Sequence, residues 1–468
     1  MKKLYVFLLF TLFTSAMSNA QACFKEIRAG RAFTIALKED NTLWAWGSNA
    51  YHQLGDGTNT GRQYSMQIGT STWSKFTVGD YHVLAIRTDG TLWGWGRNAE
   101  SQLTGAPTAD NFVPTQIGTD SNWAQITTGR WHSTGIKTDG TLWAWGYNDN
   151  GNLGDGTLIT KTSPVQLGTA NNWAKVYSGY YHTLGIKTDG TLWVWGNNLG
   201  GGLGDGGTDD VLVPTQVGTD TNWVEIAAGN AHSIAIKSNG TMWACGSNMW
   251  GQLGLGLPIT GNDAVLFTQI GTDTNWRKIA VGLGHNLAVK TDGTLWSWGI
   301  NNSGQIGNGT IDTTVTNFVL SPYQVGTGTD WNLVGTGSHN SFALKTDNML
   351  WAWGFDGSGS LGDHSTTNKP SPTYIDCAFL ATLGVDEAEP ISASVKVYPN
   401  PATTTLNIAT KNLQAEELEL YDVQGRLILS EKMSGTEHQL NISNLENGTY
   451  LLKVSGDNKS ETIKVIKN

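Results

Sequence analysis

Cysteine is scarce in this chain: three residues in 468, enough for one disulfide at most. A basic stripe is missing too. Lysine and arginine total 29 against 39 acidic residues, for a net charge of −10. A nucleic-acid binder needs clustered cations to meet phosphates, so no nucleic-acid partner is expected. Beyond the N-terminus no stretch is apolar enough for a bilayer, so no membrane span is expected in the mature chain. Catalytic signatures are lacking: there is no Gly-x-Ser-x-Gly elbow and no His-Glu-x-x-His. Gly202 to Gly207 fits Gly-x-Gly-x-x-Gly, but no crossover helix follows it, so it reads as a loop and not a dinucleotide site. No carboxylate pair distinguishes one segment from another. The expectation is a chain that is not an enzyme and carries no cofactor or metal.

What is there begins with export. Met1-Lys2-Lys3, an apolar run from Leu4 to about Phe13, and Ser18-Asn19-Ala20 read as a secretory signal peptide over residues 1–20. Then a pattern repeats seven times. Leu/Met-Trp-x-Trp-Gly, or its near copy, places tryptophans at Trp44, Trp93, Trp143, Trp193, Trp243, Trp296 and Trp351. The steps between copies are 49, 50, 50, 50, 53 and 55 residues. A fixed period of this size means stacked supersecondary units.

One copy reads as four strands. Asn122 to Ile126 is the first, Ser133 to Lys137 the second, Leu142 to Gly146 the third and Pro164 to Gly168 the fourth. Asp139-Gly140 suits a two-residue hairpin turn, because both residues tolerate positive φ. Four antiparallel strands per fifty residues is a propeller blade. The predicted fold is all-β: a seven-bladed β-propeller over residues 21–380, a linker at 381–392, and a small β-sandwich-like C-terminal domain over 393–468. Which strands close the ring is left open.

Nineteen of the 21 tryptophans occupy two repeat slots. Residues two apart on a strand share a face, so each Trp-x-Trp puts both rings on one side, where packed blades would bury them. Each ring buried removes roughly 150–250 Å² from water, about 4–6 kcal/mol gross. Trp95, Trp145, Trp195, Trp298 and Trp353 are therefore assigned to structure. Cys245 fills the equivalent slot of the fifth copy and reads as a small core residue.

Five histidines share another slot: His82, His132, His182, His232 and His285. A metal ring is one reading. A structural role is preferred, with each imidazole hydrogen-bonded to neighbouring backbone, because Phe33 and Asn340 fill the same slot and the carboxylates that orient metal-binding histidines are missing. Cys23 precedes the first copy and Cys377 follows the last. In an exported protein they are a candidate disulfide clasping a closed ring, with two unpaired buried thiols as the alternative.

The repeat Gly-x-x-His-x-x-x-Ile-Lys-x-Asp-Gly-Thr-Leu-Trp-x-Trp-Gly-x-Asn, followed by Leu-Gly, resembles that of the regulator-of-chromosome-condensation family over roughly residues 24–376. The resemblance implies a seven-bladed propeller. The founding member's exchange activity on a nuclear GTPase is not carried over to an acidic, exported chain. Some secreted members of the fold are inhibitors that clamp a β-lactamase with one propeller face. The tail, through Val397 to Pro401, Tyr421 to Leu427, Gly448 to Val454 and Lys464 to Lys467, resembles the type IX secretion sorting domain of Bacteroidetes. That resemblance implies engagement of the type IX machinery and passage through the periplasm to the medium or the outer-membrane surface.

Two positions between the repeated Gly and the His slot break the pattern. They read Arg31-Ala32, Asp80-Tyr81, Arg130-Trp131, Tyr180-Tyr181, Asn230-Ala231, Leu283-Gly284 and Ser338-His339. Scaffold duty would make them alike. Aromatic and arginine side chains on one propeller face are what interface hot spots are made of. The candidate binding patch is Arg31, Asp80, Tyr81, Arg130, Trp131, Tyr180, Tyr181 and Asn230. The expected function is binding of an unknown protein or glycan, as an interaction or adhesion module. The alternatives are an inhibitor of a secreted hydrolase and a glycan-active enzyme.

Overall fold

The computed structural model describes residues 24–103, 110–312, 318–375, 395–398, 402–410, 417–422, 426–433, 435–456 and 459–467. The signal segment, Cys23, Cys377 and the linker lie outside them, and with them the proposed clasp. The chain divides into two units, one up to residue 382 and one after it.

The first unit is seven four-stranded antiparallel sheets, each built from four consecutive strands. Blade one comprises Glu26–Ala29, Phe33–Leu37, Leu43–Gly47 and Arg62–Gln67. Blade seven comprises Trp331–Thr336, Asn340–Lys345, Leu350–Gly354 and Lys369–Ile375. Among the described residues, no strand is exchanged between the ends. The ring closes through a shared core, in which Phe24, Ile27 and Trp46 pack with Phe342, Leu344, Leu361 and Ile375. The Ser338 amide also donates to the Gly30 carbonyl across that seam, at 3.2 Å. The first strands line a central channel.

The hairpin between second and third strands differs from the expected two-residue turn. The Gly140 amide donates to the Lys137 carbonyl, and the Lys137 amide to the Thr141 carbonyl, so three residues form the loop. Only Gly140 has positive φ, at 80°. This is a type I turn closed by a left-handed residue. Where glycine is missing, Asn41 and Asn348 supply the conformation, with φ of 67° and 62°. The Asp139 carboxylate accepts from the Thr141 amide and hydroxyl, and that hydroxyl accepts from the Trp143 indole. The fourth strand of this blade starts earlier than expected, at Lys161, and takes Pro164 inside it. An outermost strand tolerates a proline where the ladder shifts register, as it does here between Lys161 and Val165.

The tryptophans divide their work. Trp46, Trp95, Trp145, Trp195, Trp298 and Trp353 are at most 1% exposed. Trp73 and its equivalents are buried too. The first ring of each Trp-x-Trp is half-buried, which corrects the expectation that both are covered. A cation from the end of the second strand caps that ring, with Lys137 3.6 Å from the Trp143 centroid and Arg87 3.4 Å from Trp93. In blade five, Phe267 packs 5.3 Å from Trp223 and beside Cys245, filling the space of the missing indole. Burial drives the Cys245 thiol's pKa well above its usual value.

The second unit has two sheets. One is ordered Val395–Tyr398, Thr405–Thr410, Glu437–Asn441; the other Leu427–Lys432, Glu417–Asp422, Gly448–Gly456, Lys459–Lys467. Leu406, Ile408 and Leu440 from one sheet share a core with Leu418, Leu452 and Val454 from the other. Thr405–Thr410 and Glu437–Asn441 went unrecognised in the sequence.

Candidate functional site

The turns between first and second strands emerge on one face of the ring. Each is fixed by the repeated glycine, whose amide donates to the carbonyl of the His-slot residue, as Gly129 does to His132 at 2.9 Å. A side chain there is impossible, since a Cβ on Gly129 would lie 2.1 Å from the His132 ring. The two residues between are thereby held at the channel mouth.

They do not stand alone. The amide after each third-strand glycine donates to the carbonyl of the second turn residue: Arg97 to Tyr81, Tyr147 to Trp131, Asn197 to Tyr181. A third variable position therefore joins the face, reading Ser48, Arg97, Tyr147, Asn197, Ser247, Ile300 and Phe355. The loop beyond leans over the next blade, so Tyr51 lies 4.9 Å from Tyr81. Trp250 sits over Gly284, which has no side chain to collide with it. The sequence reading missed Tyr51, Arg97 and Tyr147 as partners of the patch. The signal was present, because the copies disagree there as they do in the turns.

Two ring clusters result. In one, Trp131, Tyr147 and Tyr181 meet with centroids 5.4, 5.6 and 6.3 Å apart. The Arg130 guanidinium lies 4.3 Å from the Trp131 centroid and donates to the Tyr181 hydroxyl. In the other, Arg31 donates to the Tyr81 hydroxyl at 2.6 Å, and Arg97 lies 5.5 Å from Tyr51 and 5.7 Å from Tyr81. Arg130 also pairs with Asp80 at 3.4 Å and joins the clusters to the channel.

Asp80 and Tyr180 are drawn inward. Asp80 is 6% exposed. Burial outweighs the pull of Arg130 and lifts its carboxyl to about 6. The Tyr180 hydroxyl bonds Ser338 at 3.0 Å, reaching from blade four to blade seven across the mouth. Burial and Asp80 raise its pKa far above a free phenol's. Asn230, half-buried on blade five, joins neither cluster.

The histidines face away from this mouth, between blades. Each Nε2 meets the residue after the next blade's slot: His82 to Ser133, His132 to Thr183, His182 to Ser233, His232 to Asn286 and His285 to Ser341, at 3.0–3.2 Å. The partner is a side chain and not the backbone that was expected. The Ser133 hydroxyl spends its proton on the Gln102 carbonyl, so His82 Nε2 must donate. Burial lowers these imidazoles to about 3, and His232 to about 4. Among the described residues, no group of three or more His, Cys, Asp or Glu side chains is placed to hold a metal.

The fold defines the class first: a seven-bladed propeller of tryptophan-rich repeats. The chain belongs to the RCC1-like domain family, whose profile matches residues 11–334. That match ends within the first strand of blade seven, although the blade runs on to Ile375. Residues 396–468 match the secretion system C-terminal sorting domain, so the chain is exported through type IX secretion, to the cell surface or beyond. The solved complex of Kap60 with yeast RCC1 (Prp20) superposes with a TM-score of 0.65 at 18% identity, over 85% of this chain and 93% of that one, which shows the fold alone.

Among curated relatives, ulvan lyase NLR42 of Nonlabens ulvanivorans is 28% identical over 229 residues, 45% of this chain and 38% of the relative. An endo-acting ulvan lyase of Formosa agariphila is 26% identical over 104 residues, 22% of this chain and 20% of the relative. The chain thus spans well under half of either relative. These two relatives still overturn the expectation that the chain is not an enzyme. Missing motifs do not exclude catalysis in a chain whose relatives are lyases.

Proposed function

We propose that this exported propeller recognises a polysaccharide, of the kind its lyase relatives are named for, through the mouth built by Trp131, Tyr147, Tyr181 and Arg130. The supporting observation is the joining of three half-buried rings to one arginine at positions that vary from blade to blade. Aromatic faces pack against sugar rings, and a guanidinium offers fixed donors to hydroxyl and acidic groups. The test is affinity electrophoresis of the full chain through gels containing ulvan or neutral glycans. Retardation by ulvan that disappears in Trp131→Ala/Tyr181→Ala supports the reading; retardation unchanged in that variant refutes it.

Cleavage of the same polymer is the second reading, favoured by the two lyase relatives. A lyase needs a base. Tyr180 is held protonated, whereas Asp80, at about 6, is ionised at neutral pH and within reach of the mouth. An unsaturated product that accumulates with the native chain and not with Asp80→Asn establishes turnover. No product from the native chain leaves recognition alone.

A further inference from the structure

The first strands end at the aromatic mouth but begin at the opposite one, and the residues there also break the repeat. The slot two residues after Trp73 and its equivalents reads Glu26, Lys75, Gln125, Lys175, Glu225, Lys278 and Leu333. Two residues further on, the same face of blade one carries Arg28 and that of blade four Tyr177. All of these side chains except Leu333 line a cavity of about 790 Å³ that opens at this end.

The cations there outnumber the carboxylates, in a chain whose net charge is −10. Arg28 pairs with Glu26 at 2.8 Å, and Glu225 is shared by Lys175 at 3.0 Å and Lys278 at 3.6 Å. Lys75 has no carboxylate within ion-pair distance among the described residues; its ammonium donates to the Ala124 carbonyl at 2.6 Å. An ammonium carries three donors, so two remain on Lys75. Lys175 spends one on the Val224 carbonyl, at 2.6 Å, in the same way. The backbone carbonyls thus hold two ammonium groups at the cavity wall with protons to spare.

We propose that this vestibule is a second binding site, for an acidic sugar unit whose carboxylate or sulfate group lies between Lys75, Lys175 and Arg28. The volume suits a short oligosaccharide. The Gln125 amide, the Tyr177 hydroxyl and the threonines below them match a hydroxylated ligand better than an apolar one. That the ligand is a sugar rests on the polysaccharide reading above; that it is anionic rests on the cations alone.

Calorimetric titration of the full chain tests this, with an oligogalacturonate, a sulfated oligosaccharide, a neutral cello-oligosaccharide and inorganic sulfate as probes. Binding of either acidic oligosaccharide should weaken at least about tenfold in Lys75→Gln/Lys175→Gln, and also in raised salt. It should be unchanged in Trp131→Ala/Tyr181→Ala. The proposal is overturned if neither acidic probe binds, if the lysine variant binds as the native chain does, or if the neutral probe binds equally. It is also overturned if inorganic sulfate competes at equal concentration, because the site then takes any anion. Loss only in the aromatic variant overturns the vestibule and leaves the opposite mouth standing. Loss only in the lysine variant is the result the vestibule predicts, and the ulvan gels decide the aromatic mouth separately. Lys75 is exposed and Lys175 half-buried, and Glu225 keeps Lys278 as a partner, so melting of the variant should stay close to that of the native chain.

Discussion

At the scale of the residue, the decisive pairing runs between blades. His132 and Thr183 meet at 3.2 Å, and four other blade junctions repeat that bond. At the junction of blades one and two, Phe33 replaces the histidine and Val83 the hydroxyl, and both lie in one apolar core. The partners change together because a buried imidazole without an acceptor costs about 1–3 kcal/mol. His132→Phe and Thr183→Val should each cost on that order, about 1–2 kcal/mol, in urea unfolding. The double variant should cost less than the sum, since it rebuilds the Phe33 and Val83 arrangement. Strict additivity would mean that the bond does not couple the blades. The lowered histidines also set a pH dependence. The unfolded chain binds protons below about 6.5 that the folded chain refuses until about 3 or 4. Stability should therefore fall as pH drops through that window, and unfolding there should take up several protons. The histidine slot was legible in the sequence. Its partner was not, because a serine or threonine one place further on looks like ordinary strand filling until two blades are placed side by side.

At the scale of the element, each blade's long loop hangs on one side chain. In blade three the Asn148 amide donates to Asp155 at 3.0 Å, while its carbonyl accepts from the Leu153 amide at 2.9 Å. Blade seven has Asp356 in that slot and Asp363 opposite. Burial and Asp363 raise the Asp356 carboxyl to about 7, while Lys369, 2.8 Å from Asp363, holds Asp363 below the usual range. A protonated Asp356 does the work of the asparagine amide. Below about 4 both folded and unfolded chains are protonated at this position; between about 4 and 7 only the folded chain is. Stability from this group is thus present at low pH and lost as pH rises through about 7. Asp356→Asn should raise the melting temperature at pH 8, with little change at pH 4. An equal change at both pH values would contradict the shared proton. The blade was readable from period and turn residues. The tail was read less fully, because Thr405–Thr410 and Glu437–Asn441 are polar on their open faces and carry no repeat to align them.

At the scale of the whole molecule, the repeat supplies a closed ring, and departures from it supply two unlike mouths. One gathers rings and arginines, the other lysines around a cavity. The turns were found in the sequence because seven copies could be compared, and Arg130, Trp131 and Tyr181 do come together. Asp80 and Tyr180 were placed in the same patch, yet they turn inward and line the channel, since no sequence distance tells that blade four reaches blade seven. The central claim is that recognition resides in the residues that differ between blades at the aromatic mouth. The most direct measurement is the dissociation constant for ulvan of the full chain, of Trp131→Ala/Tyr181→Ala, and of Trp143→Ala, whose ring belongs to the repeated scaffold. The account predicts binding lost, by at least about tenfold, in the first variant and kept in the second at temperatures where both remain folded. Equal affinity in the native chain and the first variant would contradict it.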